Sequence, residues 1–373
     1  MKKILVFALP GIGNTLLLTP MLKALKKSYK DSKITVLVMY KACKEILEGN
    51  PNVDEIILFE FLKEGYLKSL KFANNLSKQE FDISILPHPS NELYYSIVSY
   101  FCKARLRIAH KYPNFNMKFD SKYPYIKMTS LAYLHSKTVM LENSHEIEEN
   151  LNLLKVLDIN VENADKSLYL KIKTENIENA ARLVKNYKIS GLKLGIHPGS
   201  SNLAGMQNKR WPQEKFIELC NYLIDNYRAT ILIFGGKEEE QLKSFIRNSC
   251  ARKEKCILVD TNSIKDTAAL IKECNYFITN DSGLMHIASA LNIPVITISG
   301  AADYRRTHTL NRNSAVVYHN ISCYPCYKYG EKLECKRKEK DYACLRYISI
   351  YNVVALIEKL KKNEDLGPIL ERI

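Results

Sequence analysis

The segment YFITNDSGLMHIASA, residues 276–290, places a carboxylate, a hydroxyl, a glycine and a histidine where a strand passes into a helix. The apolar run 276–278 predicts a buried strand, and the apolar residues of 287–291 recur at helical spacing. Ser282 and Gly283 would then lie where the first unpaired N–H groups of the helix point outward. Because such a helix end favours an anion by roughly 0.3–1 kcal/mol, the segment predicts a phosphate site, suited to the diphosphate of a sugar nucleotide.

A purely structural role is the alternative interpretation of this junction. Asp281 or Ser282 would then cap the helix, and His286 would be an ordinary packed residue. Two further junctions favour the binding site. One is the strand exit LGIHPGSS at 194–201, which the basic and aromatic run KRWP follows, and the other is the glycine-rich loop PGIGN at 10–14. Three such junctions predict one cleft.

Strands and helices alternate along the whole chain, which is typical of parallel sheets with helices on both faces. In the first half, the pattern predicts strands at 3–9, 34–39, 56–59 and 83–86, and helices at 15–29 and 146–157. In the second half, it predicts strands at 192–196, 230–234, 276–279 and 295–298. We therefore expect an N-terminal domain at 1–165, a C-terminal domain at 166–346 with a cysteine-rich segment at 323–344, and a last helical segment at 347–373 that packs on the first domain.

The composition suits two domains of ordinary size, because 46% of the 373 residues are hydrophobic. No stretch approaches the roughly 18 consecutive apolar residues of a membrane span. The amino-terminal apolar run is short, lacks a small-residue cleavage site and leads directly into the glycine-rich loop. We therefore interpret it as the first strand rather than as a signal peptide, and we expect a cytoplasmic protein.

The formal net charge is +15, from 55 Lys and Arg against 40 Asp and Glu. A basic protein is attracted to polyanions, which include nucleic acids, anionic phospholipids and phosphorylated glycolipids. The sequence has neither zinc-finger spacing with His ligands nor an aromatic RNA-binding signature, so nucleic acid is not an expected partner. The charge favours a phosphate-rich glycolipid substrate and an anionic membrane surface, and we expect peripheral association with the inner face of the cytoplasmic membrane.

Four blocks of the sequence resemble glycosyltransferase family 9, whose best-known members are the ADP-heptose:lipopolysaccharide heptosyltransferases. The blocks are GIGNTLLLTPMLKALKKSYKDSKITVLV, HPGSS with KRWPQEKF, FGGKEEE, and FITNDSGLMHIASALNIPVITISGA, in the family's order. The resemblance implies the GT-B fold, an α/β architecture of two doubly wound Rossmann-like domains facing a central cleft. It also implies an inverting glycosyltransferase that requires no cofactor for catalysis and moves a heptose from ADP-heptose onto a lipopolysaccharide core or a related cell-envelope glycan.

The resemblance also assigns roles to residues at the three junctions. Lys209 would reach the phosphates of the nucleotide sugar, although a surface lysine ahead of a helix is the alternative interpretation. Glu239 would bind the ribose hydroxyls. The remaining donor contacts would come from Ser200, Ser201, Asp281, Ser282, Gly283 and His286. The first loop would hold the acceptor through Gly11, Gly13 and Thr15. Helix N-termini and cationic side chains would stabilise the charge of the leaving diphosphate.

Asn14 departs from the family, whose glycine-rich loop carries an aspartate at this position. An amide cannot take a proton at neutral pH, and loss of a general base costs about 10²–10⁴ in rate. Three explanations are open. Asn14 orients the acceptor while Asp303, His88 or Glu92 acts as the base; the chain transfers a different sugar from another nucleotide sugar; or it is a catalytically silent glycan-binding homologue. The structural alternative is that Asn14 only caps the helix that follows it.

Four of the ten cysteines form a separate pattern, Cys323-x2-Cys326-x8-Cys335-x8-Cys344. Reduced thiols persist in the cytoplasm, and four thiolates suit tetrahedral zinc or iron. The resemblance supports this interpretation, because related autotransporter heptosyltransferases carry a comparable cluster around iron. We expect a structural zinc or iron ion, and two disulfides or four unligated thiols are the alternatives.

Overall fold

The computed structural model describes residues 1–90, 93–112, 118–119, 126–127, 134–311, 313–328, 331–339, 341–362 and 369–372. The chain forms two compact units, Met1–Lys171 and Ile172–Ile373. Each unit is built on its own parallel sheet. Within the described ranges, no helix has both the length and the apolar character needed to cross a bilayer.

The first unit has a six-stranded parallel sheet. The strands of this unit are β1 (Lys3–Ala8), β2 (Lys33–Val38), β3 (Glu55–Leu58), β4 (Ile83–Leu86), β5 (Leu106–Lys111), the short antiparallel pair β6 (Lys118–Phe119) and β7 (Ile126–Lys127), and β8 (Lys137–Met140). The helices are α1 (Ile12–Leu17), α2 (Thr19–Ser28), α3 (Lys41–Leu47), α4 (Phe61–Ser77), α5 (Leu93–Phe101) and α6 (Glu146–Asn152), which a 3-10 turn at Leu153–Leu157 continues.

Strand β1 lies in the interior of this sheet and is buried along almost its whole length, as expected for a parallel strand with helices on both sides. The strand order is β3-β2-β1-β4-β5-β8. Strands β2 and β3 therefore lie on one side of β1, and β4, β5 and β8 lie on the other side. The carboxyl ends of β1 and β4 therefore form the topological switch point of the unit, where α/β sheets bind their ligands.

The second unit has a seven-stranded parallel sheet. Its strands are β9 (Lys193–His197), β10 (Thr230–Ile233), β11 (Cys256–Leu258), β12 (Tyr276–Asn280), β13 (Val295–Ser299), β14 (Ser314–Tyr318) and β15 (Ile369–Arg372). Its helices are α7 (Thr174–Asn186), α8 (Gln213–Tyr227), α9 (Glu240–Ser249), α10 (Ile264–Lys272), α11 (Gly283–Ala290), α12 (Tyr304–Thr307), α13 (Ala343–Arg346) and α14 (Ile350–Lys361). The order β11-β10-β9-β12-β13-β14-β15 places the switch point between β9 and β12.

The two doubly wound Rossmann-like units confirm the predicted α/β, GT-B fold class. The division between the units differs from the expected one by a few residues. It falls after Lys171, so residues 166–171 belong to the first unit. Tyr169 accounts for this difference, because its backbone N–H donates to Thr19 Oγ1 at 3.0 Å and ties the segment to α2.

Helix α14 belongs to the core of the second unit, whereas we expected the segment 347–373 to pack on the first domain. The helix contacts α8, β13, β14 and β15. Its apolar side chains are buried in one cluster with those of the second sheet: Val353, Leu356 and Ile357. Removing this apolar stripe from water accounts for the placement, since each such side chain contributes about 1.5–3 kcal/mol when it is buried.

Candidate functional site

Lys209 and Asp281 form an ion pair at the switch point of the second unit. Asp281 directly follows β12, and Lys209 ends a 3-10 segment at Leu203–Lys209. Lys209 Nζ lies 3.0 Å from Asp281 Oδ2, and each side chain is only 16% exposed. Burial raises the pKa of the Asp281 carboxyl, but the Lys209 ammonium outweighs burial and holds the pKa below its usual range. Lys209 is therefore a fixed cation of this site rather than a free surface lysine.

Helix α11 begins directly after this pair, with Ser282 at its N-cap position and Gly283 as its first residue. No side chain of the described residues caps this end, which argues against the simple capping role for Asp281 or Ser282. The Ser282 hydroxyl instead lies 2.9 Å from His197 Nδ1. The first N–H groups of α11 thus have no side-chain cap in the described part of the chain, and the anion site at this helix end stays a prediction. His286, one turn along the helix, is buried and also lowers the pKa of Asp281.

Glu239 is fixed against the loop that leaves β9. His197 Nε2 lies 3.2 Å from Glu239 Oε2, and the N–H of Gly236 donates to the same oxygen at 2.9 Å. Burial raises the pKa of Glu239, but His197, the N–H of Gly236 and the Arg210 guanidinium together outweigh burial and lower it. A Cβ on Gly199 would lie 1.6 Å from Glu239 Oε1, so any other residue at that position would have to displace the carboxylate. Of the three consecutive glutamates at 238–240, Glu239 is the buried one, and its contact with the ribose stays a prediction.

Asn280 and Arg210 hold the segments of this site together. Asn280 Nδ2 donates to Pro198 O at 2.8 Å, and its Oδ1 accepts from the N–H of Trp211 at 2.9 Å. Arg210 Nε donates to Ser200 Oγ at 3.1 Å. These two residues and His197 were not predicted from the sequence. The available signal was position, because His197 and Asn280 end the two strands that flank the switch point.

Ser200 and Ser201 take part in the folding of their own loop. Ser200 Oγ donates to Met206 O at 2.9 Å, and Ser201 Oγ accepts from the N–H of Leu203 at 3.1 Å. Ser200 is buried and Ser201 is exposed. The predicted role of these hydroxyls in lining the nucleotide-sugar site stays a prediction.

The glycine-rich loop of the first unit is shorter than predicted. Helix α1 begins at Ile12, so it already contains Gly13, Asn14 and Thr15, and Gly11 is its N-cap residue. The single helix predicted at 15–29 is two helices, because Pro20 lies in the first turn of α2 and starts a new helix. The Thr15 hydroxyl donates to Gly11 O at 3.2 Å, and a Cβ at Gly11 would meet open space.

Asn14 does not cap a helix; its side chain reaches across to α6. Asn14 Nδ2 donates to Glu146 Oε2 at 2.9 Å. Glu146 is the first residue of α6 and is only 2% exposed. Its other oxygen, Oε1, lies 3.9 Å from Nε2 of the buried His88, which follows β4. Three polar side chains therefore meet at the switch point of the first unit, and sequence reasoning had singled out two of them.

His88 is oriented by Tyr112. The backbone N–H of Ser90 donates to the Tyr112 hydroxyl at 2.7 Å, and that hydroxyl lies 3.0 Å from His88 Nδ1. Since the oxygen already accepts one hydrogen bond, its own hydrogen is available to Nδ1. A neutral His88 then carries its proton on Nε2, the nitrogen that faces Glu146.

Asp303, another candidate general base, acts as a helix cap in the second unit. Its Oδ1 accepts from the N–H of Arg305 at 3.1 Å, and Arg305 Nη2 lies 2.6 Å from Oδ2. Burial raises the pKa of Asp303, but Arg305 outweighs burial and lowers it. The third candidate, Glu92, lies outside the described residues.

The site residues from Ser200 to His286 lie inside a region that matches a known family. The sequence profile described as glycosyltransferase family 9 (heptosyltransferase) matches residues 69–337, most of the chain. The chain belongs to glycosyltransferase family 9. It is accordingly a glycosyltransferase, as the sequence predicts.

Individual relatives of this glycosyltransferase match over nearly their whole length. Lipooligosaccharide heptosyltransferase 2 of Campylobacter jejuni subsp. jejuni serotype O:2 is 24% identical over 368 residues, 98% of this chain and 100% of the relative. The structure of a family 9 glycosyltransferase from Veillonella parvula DSM 2008 has a TM-score of 0.76 at 22% identity, covering 97% of this chain and 98% of that one. The structure titled E. coli ADP-heptose lps heptosyltransferase II has a TM-score of 0.70 at 19% identity, covering 96% and 98%.

The four cysteines of segment 323–344 line one small cavity of the second unit. Cys344 is buried, and the other three are partly exposed thiols. Burial, together with the neighbouring thiols of Cys326, Cys323 and Cys335, raises the pKa of the Cys344 thiol to about 12. The fold thus gathers the thiols that the spacing singled out. In the described part of the chain, however, no three His, Cys, Asp or Glu side chains are arranged to hold a metal ion as they stand.

Proposed function

We propose that this glycosyltransferase moves a heptose from ADP-heptose, with inversion, onto a lipopolysaccharide core or a related cell-envelope glycan. The observation that carries the proposal is the uncapped N-terminus of α11 beside the Lys209–Asp281 pair. The choice of sugar and acceptor is supported by the full-length similarity to a lipooligosaccharide heptosyltransferase and by the fold shared with an ADP-heptose transferase.

The second unit would bind the nucleotide sugar. The first N–H groups of α11 and the Lys209 ammonium would face the diphosphate, whose negative charge grows as the sugar departs. Glu239 would accept hydrogen bonds from the ribose hydroxyls, because its carboxylate is buried and held ionised beside His197. Asp281 keeps Lys209 in position, and His286 would complete the donor side.

The acceptor is a glycolipid in this proposal, presented at the anionic inner face of the cytoplasmic membrane. The net charge of +15 and helix α4 support such a peripheral association. Four apolar side chains of α4 are exposed by 42–86%: Leu62, Tyr66, Leu67 and Leu70. Exposed lysines lie among them, at Lys63, Lys68 and Lys71. A helix of this kind binds at the bilayer interface through its apolar side chains and its cations.

Vesicle cosedimentation tests the membrane part of the proposal. Leu67→Glu is expected to lower binding to vesicles containing phosphatidylglycerol, because it places a carboxylate among anionic headgroups. Ile177→Glu is the matched control, since Ile177 is a 41% exposed apolar residue on α7 of the second unit. Equal loss of binding in both variants would remove α4 from the proposal.

A thermal-shift screen with ADP-, GDP- and UDP-sugars, followed by turnover assays, tests the donor. ADP-heptose at 100 times its dissociation constant should stabilise the protein by about 2.7 kcal/mol. Turnover should release ADP only when a heptose-deficient lipopolysaccharide is present. Stabilisation by GDP- or UDP-sugars alone would establish a different nucleotide, and binding without any turnover would establish a catalytically silent homologue.

We also propose that the cysteines of segment 323–344 hold a structural zinc or iron ion. The support is their shared cavity and the small number of apolar side chains in this segment, whose order would then depend on ligand bonds. The thiolates of Cys323, Cys326, Cys335 and Cys344 would be the ligands. The ion would stabilise the fold and take no part in the transfer.

Elemental analysis of protein purified anaerobically without chelator tests the metal. We expect about one equivalent of zinc or iron per chain, and Cys326→Ser should lower both the metal content and Tm. Cys274→Ser removes a buried thiol of the same unit outside the cluster, and it should leave the metal content unchanged. Metal-free wild-type protein would show that the thiols are unligated or paired as disulfides.

A further inference from the structure

Removal of a proton from the acceptor is the step for which the sequence leaves the residue open among Asp303, His88 and Glu92. When a hydroxyl oxygen attacks the anomeric carbon, its proton has to be accepted by a nearby base. This requirement rests on the proposed function, transfer to a hydroxyl acceptor. The Asn14 amide cannot accept the proton, but its own hydrogen bond leads to a group that can.

The Asn14 side chain donates directly to a buried carboxylate. Asn14 Nδ2 lies 2.9 Å from Glu146 Oε2, across 132 positions of sequence. Glu146 is 2% exposed, whereas Asn14 beside it is partly exposed. Burial of a carboxylate costs free energy unless hydrogen bonds or nearby charges offset the lost hydration, and a buried carboxylate at a switch point is typical of functional sites.

Glu149, on the same helix, is a buried carboxylate whose role is structural. Glu149 Oε1 accepts from the N–H groups of Ser144 and Glu142 at 2.7 and 3.1 Å, so it closes the turn that precedes α6. Glu146 instead contacts two side chains from the exits of β1 and β4: the Asn14 amide and, at 3.9 Å, the ring of His88. Glu146 therefore faces the place where the sheet binds ligands, and Glu149 faces its own backbone.

We propose that Glu146 is the general base of the transfer. The acceptor oxygen forms its bond to the anomeric carbon while the bond from that carbon to the diphosphate oxygen breaks. The acceptor proton passes to a Glu146 oxygen, and the electron pair of the broken bond leaves with ADP. Asn14 and His88 are positioning residues, because one donates to Oε2 and the other presents Nε2 toward Oε1.

The variant Glu146→Gln tests the assignment, because it keeps the shape of the side chain and removes its basicity. We expect kcat to fall by about 10²–10⁴-fold. Affinity for ADP, measured by calorimetry, should remain that of the wild type. Glu148→Gln is the matched control on the same helix, since Glu148 is a partly exposed residue paired with Lys166, and it should keep wild-type activity.

Rescue separates a general base from a structural role. Asn14→Asp in the Glu146→Gln background returns a carboxylate to the same contact, and it should recover at least about tenfold of the lost kcat. Glu146→Asp should keep part of the activity, and it preserves the test if Glu146→Gln fails to fold. A structural role would give a lowered Tm that Asn14→Asp does not correct.

The possible failures are distinguishable. Wild-type activity together with undiminished kcat in a folded Glu146→Gln variant overturns the assignment of Glu146 and leaves the proposed function standing. Absence of turnover by wild-type protein with every ADP-, GDP- and UDP-sugar overturns the proposed function, and the general base with it.

Discussion

The two switch points share one topology but differ in what surrounds their carboxylates. In the second unit, Asp281 lies 3.0 Å from the Lys209 ammonium, and Glu239 lies 3.6 Å from the Arg210 guanidinium. In the first unit, Glu146 accepts from the neutral amide of Asn14. A carboxylate beside a fixed cation is held ionised and orients that cation, whereas one beside an amide is better placed to take up a proton. Under the two proposals, one sheet topology would serve anion binding in one unit and proton removal in the other.

The largest effect is expected when the cation of the second unit is removed. Lys209→Ala is expected to lower kcat/KM by about 10²–10³, because the leaving diphosphate loses a preorganised positive charge. Lys215→Ala is the control, since Lys215 lies on α8 and its ammonium is 3.8 Å from Glu218. Steady-state kinetics with ADP-heptose would make the comparison. Equal kinetics for the two variants would exclude Lys209 from the donor site.

A matched pair of glycine substitutions sharpens the role of Glu239. Gly199→Ala would place a methyl group 1.6 Å from Glu239 Oε1 and should displace the carboxylate, whereas Gly236→Ala meets open space. If Glu239 binds ribose, Gly199→Ala should weaken ADP binding by about tenfold, a loss of about 1.4 kcal/mol. Gly236→Ala should leave it unchanged in the same calorimetric titration. ADP affinity that is indifferent to both changes would place the ribose elsewhere.

The smallest expected effect is the dependence of stability on pH at Asp281. Its pKa is lowered in the folded protein, so its contribution is present above the unfolded value of about 3.9 and is lost as pH falls through the folded pKa. The free energy of unfolding of Asp281→Asn should therefore lie below that of the wild type by on the order of 1 kcal/mol at pH 7. Chemical denaturation at pH 7 and near pH 3 should show the difference shrinking. A difference independent of pH would mean that the ion pair does not lower this pKa.

The junction between β12 and α11 could be predicted because its signal is local in the sequence. An apolar strand, a polar turn and an amphipathic helix follow one another in residues 276–290, so the strand exit and the start of α11 can be placed from their order alone. The start of α1 could not be placed so well. The glycines of PGIGN suggested a longer loop, but α1 already begins at Ile12 and Pro20 starts a second helix.

Glu146 was missed for a different reason. Its partner Asn14 is 132 positions away, and the contact exists only because the sheet brings β1, β4 and the start of α6 to one edge. Helix α14 shows the same limit. The periodicity of its apolar residues shows that one face is buried, but it does not show which sheet covers that face. In the structure, the face packs into the core of the second unit.

The division of tasks between the units is tested most directly by measuring ADP affinity and heptose transfer side by side in Glu146→Gln and Lys209→Ala. We predict that Glu146→Gln binds ADP as the wild type does, while its rate of heptose transfer falls by a factor of about 10²–10⁴. Lys209→Ala should lose ADP affinity together with transfer. A Glu146→Gln protein that loses ADP affinity as severely as Lys209→Ala, or that transfers heptose at the wild-type rate, would contradict this division of tasks.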